Sequence, residues 1–291
     1  MSGKTVSSAI VLLILGNLMA TLCDAFIKMA GKDIPVFQFT FMRVVCMILC
    51  LLPFIRQVNW AQPFEGAKLH FLRGGIWVVA GVLLVFALGD LPLATANAVF
   101  YTAPLLIIFL ASLFYKETLS CSVMFAALFG LIGILIILRP SELSLGIINA
   151  LLFALALAFN SLLIRQLPKK QTLVHGMLLT YFFAMLMVGG LAFFENAQWD
   201  WSLVIFAFAS SVCSIFYSFT CLLAYRYVAS SEVASAEYSG LISAMVVGWL
   251  WFNESMDVFV VIGSLFIIMP LVYISHRDNR RRRDLIGKAS I

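Results

Sequence analysis

The sequence predicts an all-α integral membrane protein whose ten transmembrane helices form two inverted five-helix repeats. Three observations lead there. The 291 residues are 63% hydrophobic and only 11% charged, whereas a soluble domain carries about 25% charged residues. The apolar residues gather in runs of ~20, the length that crosses about 30 Å of hydrocarbon at 1.5 Å per residue. Finally, the two halves of the apolar region resemble each other after a shift of 137 residues.

The runs follow in order. The first, 8–30, spans a bilayer and lacks a small-residue cleavage site, so it reads as a retained helix and not as a signal peptide. Gly31-Lys32-Asp33-Ile34-Pro35 separates it from 35–56. The third and fourth runs, 70–89 and 93–115, meet at the short break Gly89-Asp90-Leu91-Pro92. The fifth, 119–138, stops at Arg139-Pro140-Ser141-Glu142. In the second half, 145–167 ends at Pro168-Lys169-Lys170, and 172–194 ends at the polar stretch from Glu195-Asn196 to Trp201. The runs 202–226, 230–252 and 257–275 complete the ten. The expected organisation is therefore a first repeat at 1–140, a second at 141–275 and a basic tail at 276–291. Periodicity contributes little, because helices in lipid are apolar nearly all round.

Charge gives the orientation. Lys4, Arg56, Lys68, Arg73, Lys116, Arg165, Lys169, Lys170, Arg226 and the six basic residues of the tail fall on one side of the ten-helix plan. Only Lys28, Lys32 and Arg139 fall on the other. The positive-inside rule then places both termini in the cytoplasm, in a bacterial-style inner membrane. The net charge of +5 reflects these loops and the tail, not a nucleic-acid-binding face. Cys23, Cys46, Cys50, Cys121, Cys213 and Cys221 all lie in apolar runs without a CxxC pair and read as small hydrophobes.

The repeat appears when Glu117 is laid on Glu254. Leu113-Phe114-Tyr115-Lys116-Glu117-Thr118 then meets Leu250-Trp251-Phe252-Asn253-Glu254-Ser255, with Ala87 on Ala224, Tyr101 on Tyr238 and Val123 on Val260. Each Glu follows the fourth helix of its half. An odd number of helices per half turns the second copy upside down, the arrangement of secondary transporters with a substrate site near the midplane.

With these motifs in view, the chain resembles the drug/metabolite transporter superfamily, specifically its ten-helix EamA-type members. The likeness is carried by the two Glu-bearing helix ends, by Ala94-Thr95-Ala96-Asn97 with Pro104, and by Asp24, Lys28 and Phe41-Met42-Arg43. It covers nearly the whole chain. It implies a central cavity lined by helices 1, 3, 4, 6, 8 and 9 and transport of amino acids, S-adenosylmethionine-like molecules or related amines. The sequence departs from the family pattern at Ser235-Ala236-Glu237-Tyr238, where a Pro is commoner early in the ninth helix.

Candidate substrate-binding residues are Glu237, Tyr101, Trp77, Asn97, Tyr238, Asp24 and Arg43. Glu237 stands about 12 Å inside the ninth run, where a carboxylate must be paired, protonated or hydrated. Two functional roles fit: holding a cationic group of the substrate or carrying a coupled proton; an interhelical structural bond is the competing role. Asp24 and Arg43 are expected to pair as a lock between the first two helices, with substrate-carboxylate binding by Arg43 as the rival role. Lys28 is expected to snorkel to the interface. Tyr101, Trp77 and Tyr238 could hold a cation or flat ring. Asn17, Asn97 and Asn160 are expected to make interhelical hydrogen bonds. Glu117 and Glu254 suit capping and packing, and His175 suits an interfacial place near a helix end. Trp60, Trp199 and Trp201 suit the interfacial belt.

The sequence holds no metal-ligand cluster, nucleophile elbow or Walker loop. The expected function is a secondary transporter that moves a small polar, amine-bearing metabolite by alternating access, with no enzyme activity, cofactor or metal. Expected partners are the substrate, the bilayer and a coupling proton or ion, with a homodimer as a further option and no nucleic acid. A channel or facilitator for a small solute is the alternative, and an integral membrane enzyme ranks below it.

Overall fold

The computed structural model describes residues 6–116, 121–138, 144–164, 166–168, 171–225, 239–255, 257–266 and 268–269. The described residues are helical apart from turns and loops. The helices are α1 (Val6–Ala30), α2 (Val36–Leu51, continued by a 3-10 segment Leu52–Gln57), α3 (Ala67–Asp90), α4 (Leu93–Phe100) and α5 (Ala103–Tyr115). They continue as α6 (Cys121–Leu138), α7 (Leu145–Ile164), α8 (Leu173–Phe194), α9 (Val204–Tyr225) and α10 (Ser239–Phe252). Residues 258–266 form α11. Seven described helical stretches are long and apolar enough to cross a membrane, and the shorter apolar helices fall within the remaining expected spans.

The fourth span is divided. Pro104 has no N–H to donate to the carbonyl of Phe100, so α4 ends there and α5 restarts after Tyr101 and Thr102. Its equivalent, α10, starts at Ser239; the residues before it lie outside the described set.

Helix bounds repeat at the spacing seen in the sequence. Val36 and Leu173 open α2 and α8, Ala67 and Val204 open α3 and α9, and Tyr115 and Phe252 close α5 and α10. The members of each pair stand 137 residues apart. Directly after the last two, Lys116 and Asn253 both take left-handed backbone, with φ 53° and 54°. A left-handed residue satisfies the last carbonyls of a helix, so both copies end their fourth span with the same device.

Packing repeats as well. α1 lies on α9 as α7 lies on α3; α2 lies on α9 as α8 lies on α3; α1 lies on α10 as α7 lies on α4 and α5. The contacts α2–α8 and α4–α10 join repeat-equivalent helices directly. The main core runs through Phe39, Leu84, Leu88, Leu93, Val99 and Leu241, so it crosses both halves. Large apolar side chains such as Phe109, Leu113, Phe193 and Trp249 are exposed on the outside, as expected where the solvent is lipid.

Two glutamates tie the repeat-equivalent pairs together. Glu195, after α8, accepts from the backbone N–H groups of Phe37 (3.0 Å) and Gln38 (2.8 Å) in the first turn of α2. Glu254, after α10, accepts from the N–H of Leu93 (2.8 Å) at the start of α4. The first turn of a helix leaves N–H groups without intrahelical partners, and a carboxylate satisfies them and complements the positive helix end. On the opposite face, Thr172 caps α8 and donates to the Gln57 carbonyl (2.8 Å) at the end of the second span.

Candidate functional site

The site is built on one face of α1. Asn17, Thr21, Asp24 and Lys28 recur at helical spacing and fall within a narrow stripe. Each reaches a different element of the bundle. Asn17 donates to the Ser239 hydroxyl (3.2 Å) and Thr21 to the Gly240 carbonyl (3.2 Å), both on α10. Asp24 accepts from the Asn97 amide (3.1 Å) on α4, whose nitrogen also donates to the Leu93 carbonyl. Lys28 donates to the carbonyls of Leu88 (3.1 Å) and Leu91 (2.5 Å) and lies 3.3 Å from Glu254. One helix of the first half thus carries a polar seam facing both halves.

Tyr101, at the break between α4 and α5, closes this seam from the opposite side. Its hydroxyl occupies the space where a Cβ on Gly240 would stand, with Asn17 beside it. Only glycine allows this approach. A broken transmembrane helix beside a polar seam is the local architecture of transporter binding sites.

Arg43 forms a second cluster one helix away. It is 3% exposed. Its Nε donates to Ser210 Oγ (3.1 Å) on α9 and its Nη2 approaches Cys23 Sγ (3.8 Å). Its guanidinium lies 6.0 Å from the Trp77 ring, and Trp77 packs edge-on against Tyr181 at 5.3 Å. Among the described residues the Nη1 group of Arg43 has no hydrogen-bond partner.

This geometry corrects two expectations. Asp24 and Arg43 are not a direct ion pair: Asp24 turns toward α4, whereas Arg43 turns toward α9, where Ser210 accepts from it. They remain within electrostatic range of each other. Among the described residues one carboxylate oxygen of Asp24 has no hydrogen-bond partner, and the side chain is only half-buried. Lys28 does not snorkel; two carbonyls, Glu254 and the Phe252 ring 5.5 Å away hold it inside.

The remaining candidates divide clearly. Asn97, Asp24, Arg43 and Trp77 come together around Cys23 and Asp24 in the C-terminal third of α1, and Tyr101 joins through Asn17 and Gly240. Glu237 and Tyr238 lie outside the described residues, as does Glu117. Asn17, Asn97 and Asn160 all make interhelical bonds, the last accepting from Arg73 at 2.9 Å. Glu254 caps and packs as expected. Trp60 and Trp201 are largely exposed, fitting an interfacial belt. His175 is buried near the start of α8 and held by Asn59 and Pro63.

Sequence reading missed Cys23, Tyr181, Ser210 and Arg73. The stripe on α1 offered a signal, since Asn17, Thr21, Asp24 and Lys28 share one face. Arg73 looked like a loop charge because the third apolar run starts late; α3 begins at Ala67 and carries Arg73 inward.

Comparison with known proteins adds to this geometry. A family model described as the EamA-like transporter family matches residues 7–139 and again 144–275. The pseudopaline exporter CntI of Pseudomonas aeruginosa PAO1 is 24% identical over 92% of this chain and 96% of its own length. The S-adenosylmethionine uptake transporter of Rickettsia prowazekii is 23% identical over 95% of each chain. A solved crystal structure aligns with a TM-score of 0.61 and 17% identity, covering 93% of this chain and 98% of that one. At that identity the structural likeness bears on the fold.

Proposed function

The chain belongs to the EamA-like transporter family, and from that premise we propose that it carries an amine-bearing small metabolite by alternating access, held at the level of Asp24. It is a multi-pass membrane transporter of a small molecule and not an enzyme. One similar protein is named as an exporter and another as an uptake transporter, so membership leaves the direction open.

The observation that carries the reading is the free oxygen of Asp24. A carboxylate about 9 Å inside α1 costs several kcal/mol unless it is compensated. Among the described residues a single amide bond and a distant arginine are its partners. An ammonium group on the substrate supplies the missing compensation. Trp77 offers a ring beside Arg43, and Arg43 offers an unpartnered donor for an accompanying carboxylate. Glu237 and Tyr238 join the proposal on sequence position alone, Glu237 as a second carboxylate for the amine or as the carrier of a coupled proton.

In this reading the halves 1–140 and 141–275 rock against each other around the seam, in an inner membrane. The tail 276–291 and both termini lie in the cytoplasm. A homodimer and a coupling ion are compatible with it. The test is a melting-temperature screen of the purified protein, because a ligand that binds the folded state raises it by mass action. S-adenosylmethionine and amino acids with free amines should raise the melting temperature, while their deaminated or N-acylated counterparts should not. Equal shifts with and without the amine would remove Asp24 from the role.

A further inference from the structure

Among the described residues, Arg73 enters the membrane-spanning region without a counter-charge. It is the seventh residue of α3, about 9 Å from the start of that helix. It is half-buried, and its Nε donates to Asn160 Oδ1 (2.9 Å) on α7. Among the described residues neither of its Nη groups has a hydrogen-bond or ion-pair partner. Arg43 is likewise without an ion pair. Two guanidinium groups inside a bilayer, each costing at least ~3 kcal/mol when uncompensated, call for an anion or for water.

Their placement is related. Arg43 stands about 10 Å from the start of α2, at the opposite face from the start of α3, so the two occupy different depths. Trp77 lies one turn beyond Arg73 on the same face of α3 and also meets Arg43. Tyr181 packs against Trp77 and lies within electrostatic range of both arginines. The aromatic pair therefore sits between two cationic groups.

The repeat relates the two clusters residue by residue. Shifting by 137 carries Cys23 to Asn160, Arg43 to Thr180 and Arg73 to Ser210. Arg43 contacts Ser210 and Cys23 at one junction of three helices, and Arg73 contacts Asn160 at the equivalent junction. One half supplies the arginine at both junctions, from α2 in the first and from α3 in the second.

We propose that Arg73, oriented by Asn160, is a second carboxylate-binding site, on the far side of the Trp77–Tyr181 pair from Arg43. An anionic group of the substrate leaving Arg43 is received by Arg73 as the opposite face opens. The substrate class is then a zwitterion with at least one carboxylate, a refinement that rests on the transport reading above.

Modification of the full-length wild-type protein by an arginine-specific dicarbonyl reagent, mapped by mass spectrometry, tests the site without a variant. Acetate, L-glutamate and S-adenosylmethionine serve as probes, against methylamine as a cation lacking a carboxylate. Modification of Arg73 should slow several-fold with at least one carboxylate and stay unchanged with methylamine. An Arg73 that does not react, that reacts equally with every probe, or that is protected equally by methylamine overturns the proposal. In Arg73→Gln the carboxylate-dependent protection of Arg43 should persist, because Arg43 holds its anion through its own unpartnered donor; its loss in a variant that melts like the wild type would overturn the division into two sites. Failure of the amine reading at Asp24 leaves carboxylate protection at Arg73 intact, so the two outcomes are separable.

Discussion

Lys28 on α1 lies 3.3 Å from Glu254 beyond α10, and Glu254 also caps α4 through the Leu93 N–H. One ion pair thus joins the first span, the fourth span and the loop after the ninth. Both side chains are 15% exposed, so each charge depends on the other. Lys28→Met should lower stability by about 2 kcal/mol, because the Glu254 charge loses its partner. Glu254→Gln should be milder than Glu254→Ala, since Gln still accepts from Leu93. Melting curves of the single variants and of Lys28→Met with Glu254→Gln check this. Full additivity of the two effects would show that the pair contributes no coupling.

Glu195 makes the corresponding tie between α8 and α2. Its two bonds to Phe37 and Gln38 satisfy the first turn of α2. Glu195→Ala should reduce stability by about 1–2 kcal/mol, the usual range for losing a helix cap. Unchanged melting temperature would mean that water replaces the carboxylate at no cost.

Gly240 and Tyr101 give a sharper test of the contact between halves. A Cβ at position 240 would overlap the Tyr101 hydroxyl, while the next ring atom stays 3.4 Å away. Gly240→Ala should lower stability by about 1–3 kcal/mol through overpacking. Adding Tyr101→Phe removes the overlapping oxygen and should recover most of that loss. A double variant as unstable as Gly240→Ala alone would contradict the placement of Tyr101.

The fold was legible because lipid imposes length. Apolar runs marked the spans, and the shift between Glu117 and Glu254 matches the spacing of the helix starts Val36 and Leu173, and Ala67 and Val204. The site was legible only in part. Asp24, Arg43, Trp77 and Asn97 stood out as polar or aromatic groups in apolar runs, and depth alone suggests that such residues face inward. Their partners were not legible, because a long side chain chooses among several helices within reach. Arg43 could span the distance to Asp24, yet α9 presents Ser210 closer to its path. Arg73 was missed for a related reason. A basic residue near a run's end looks like orientation charge unless the helix is known to start at Ala67.

The central claim is that Asp24 holds the substrate's amine, and uptake by proteoliposomes containing the Asp24→Asn variant tests it most directly. Asn keeps the shape of Asp24 and can still bond to Asn97, so the variant should insert and melt much like the wild type. Exchange of S-adenosylmethionine or of an amine-bearing amino acid identified in the melting screen should fall at least ~10-fold, as expected when about 1.4 kcal/mol or more of charge-assisted binding is lost. Wild-type exchange by a well-folded Asp24→Asn protein would contradict the claim.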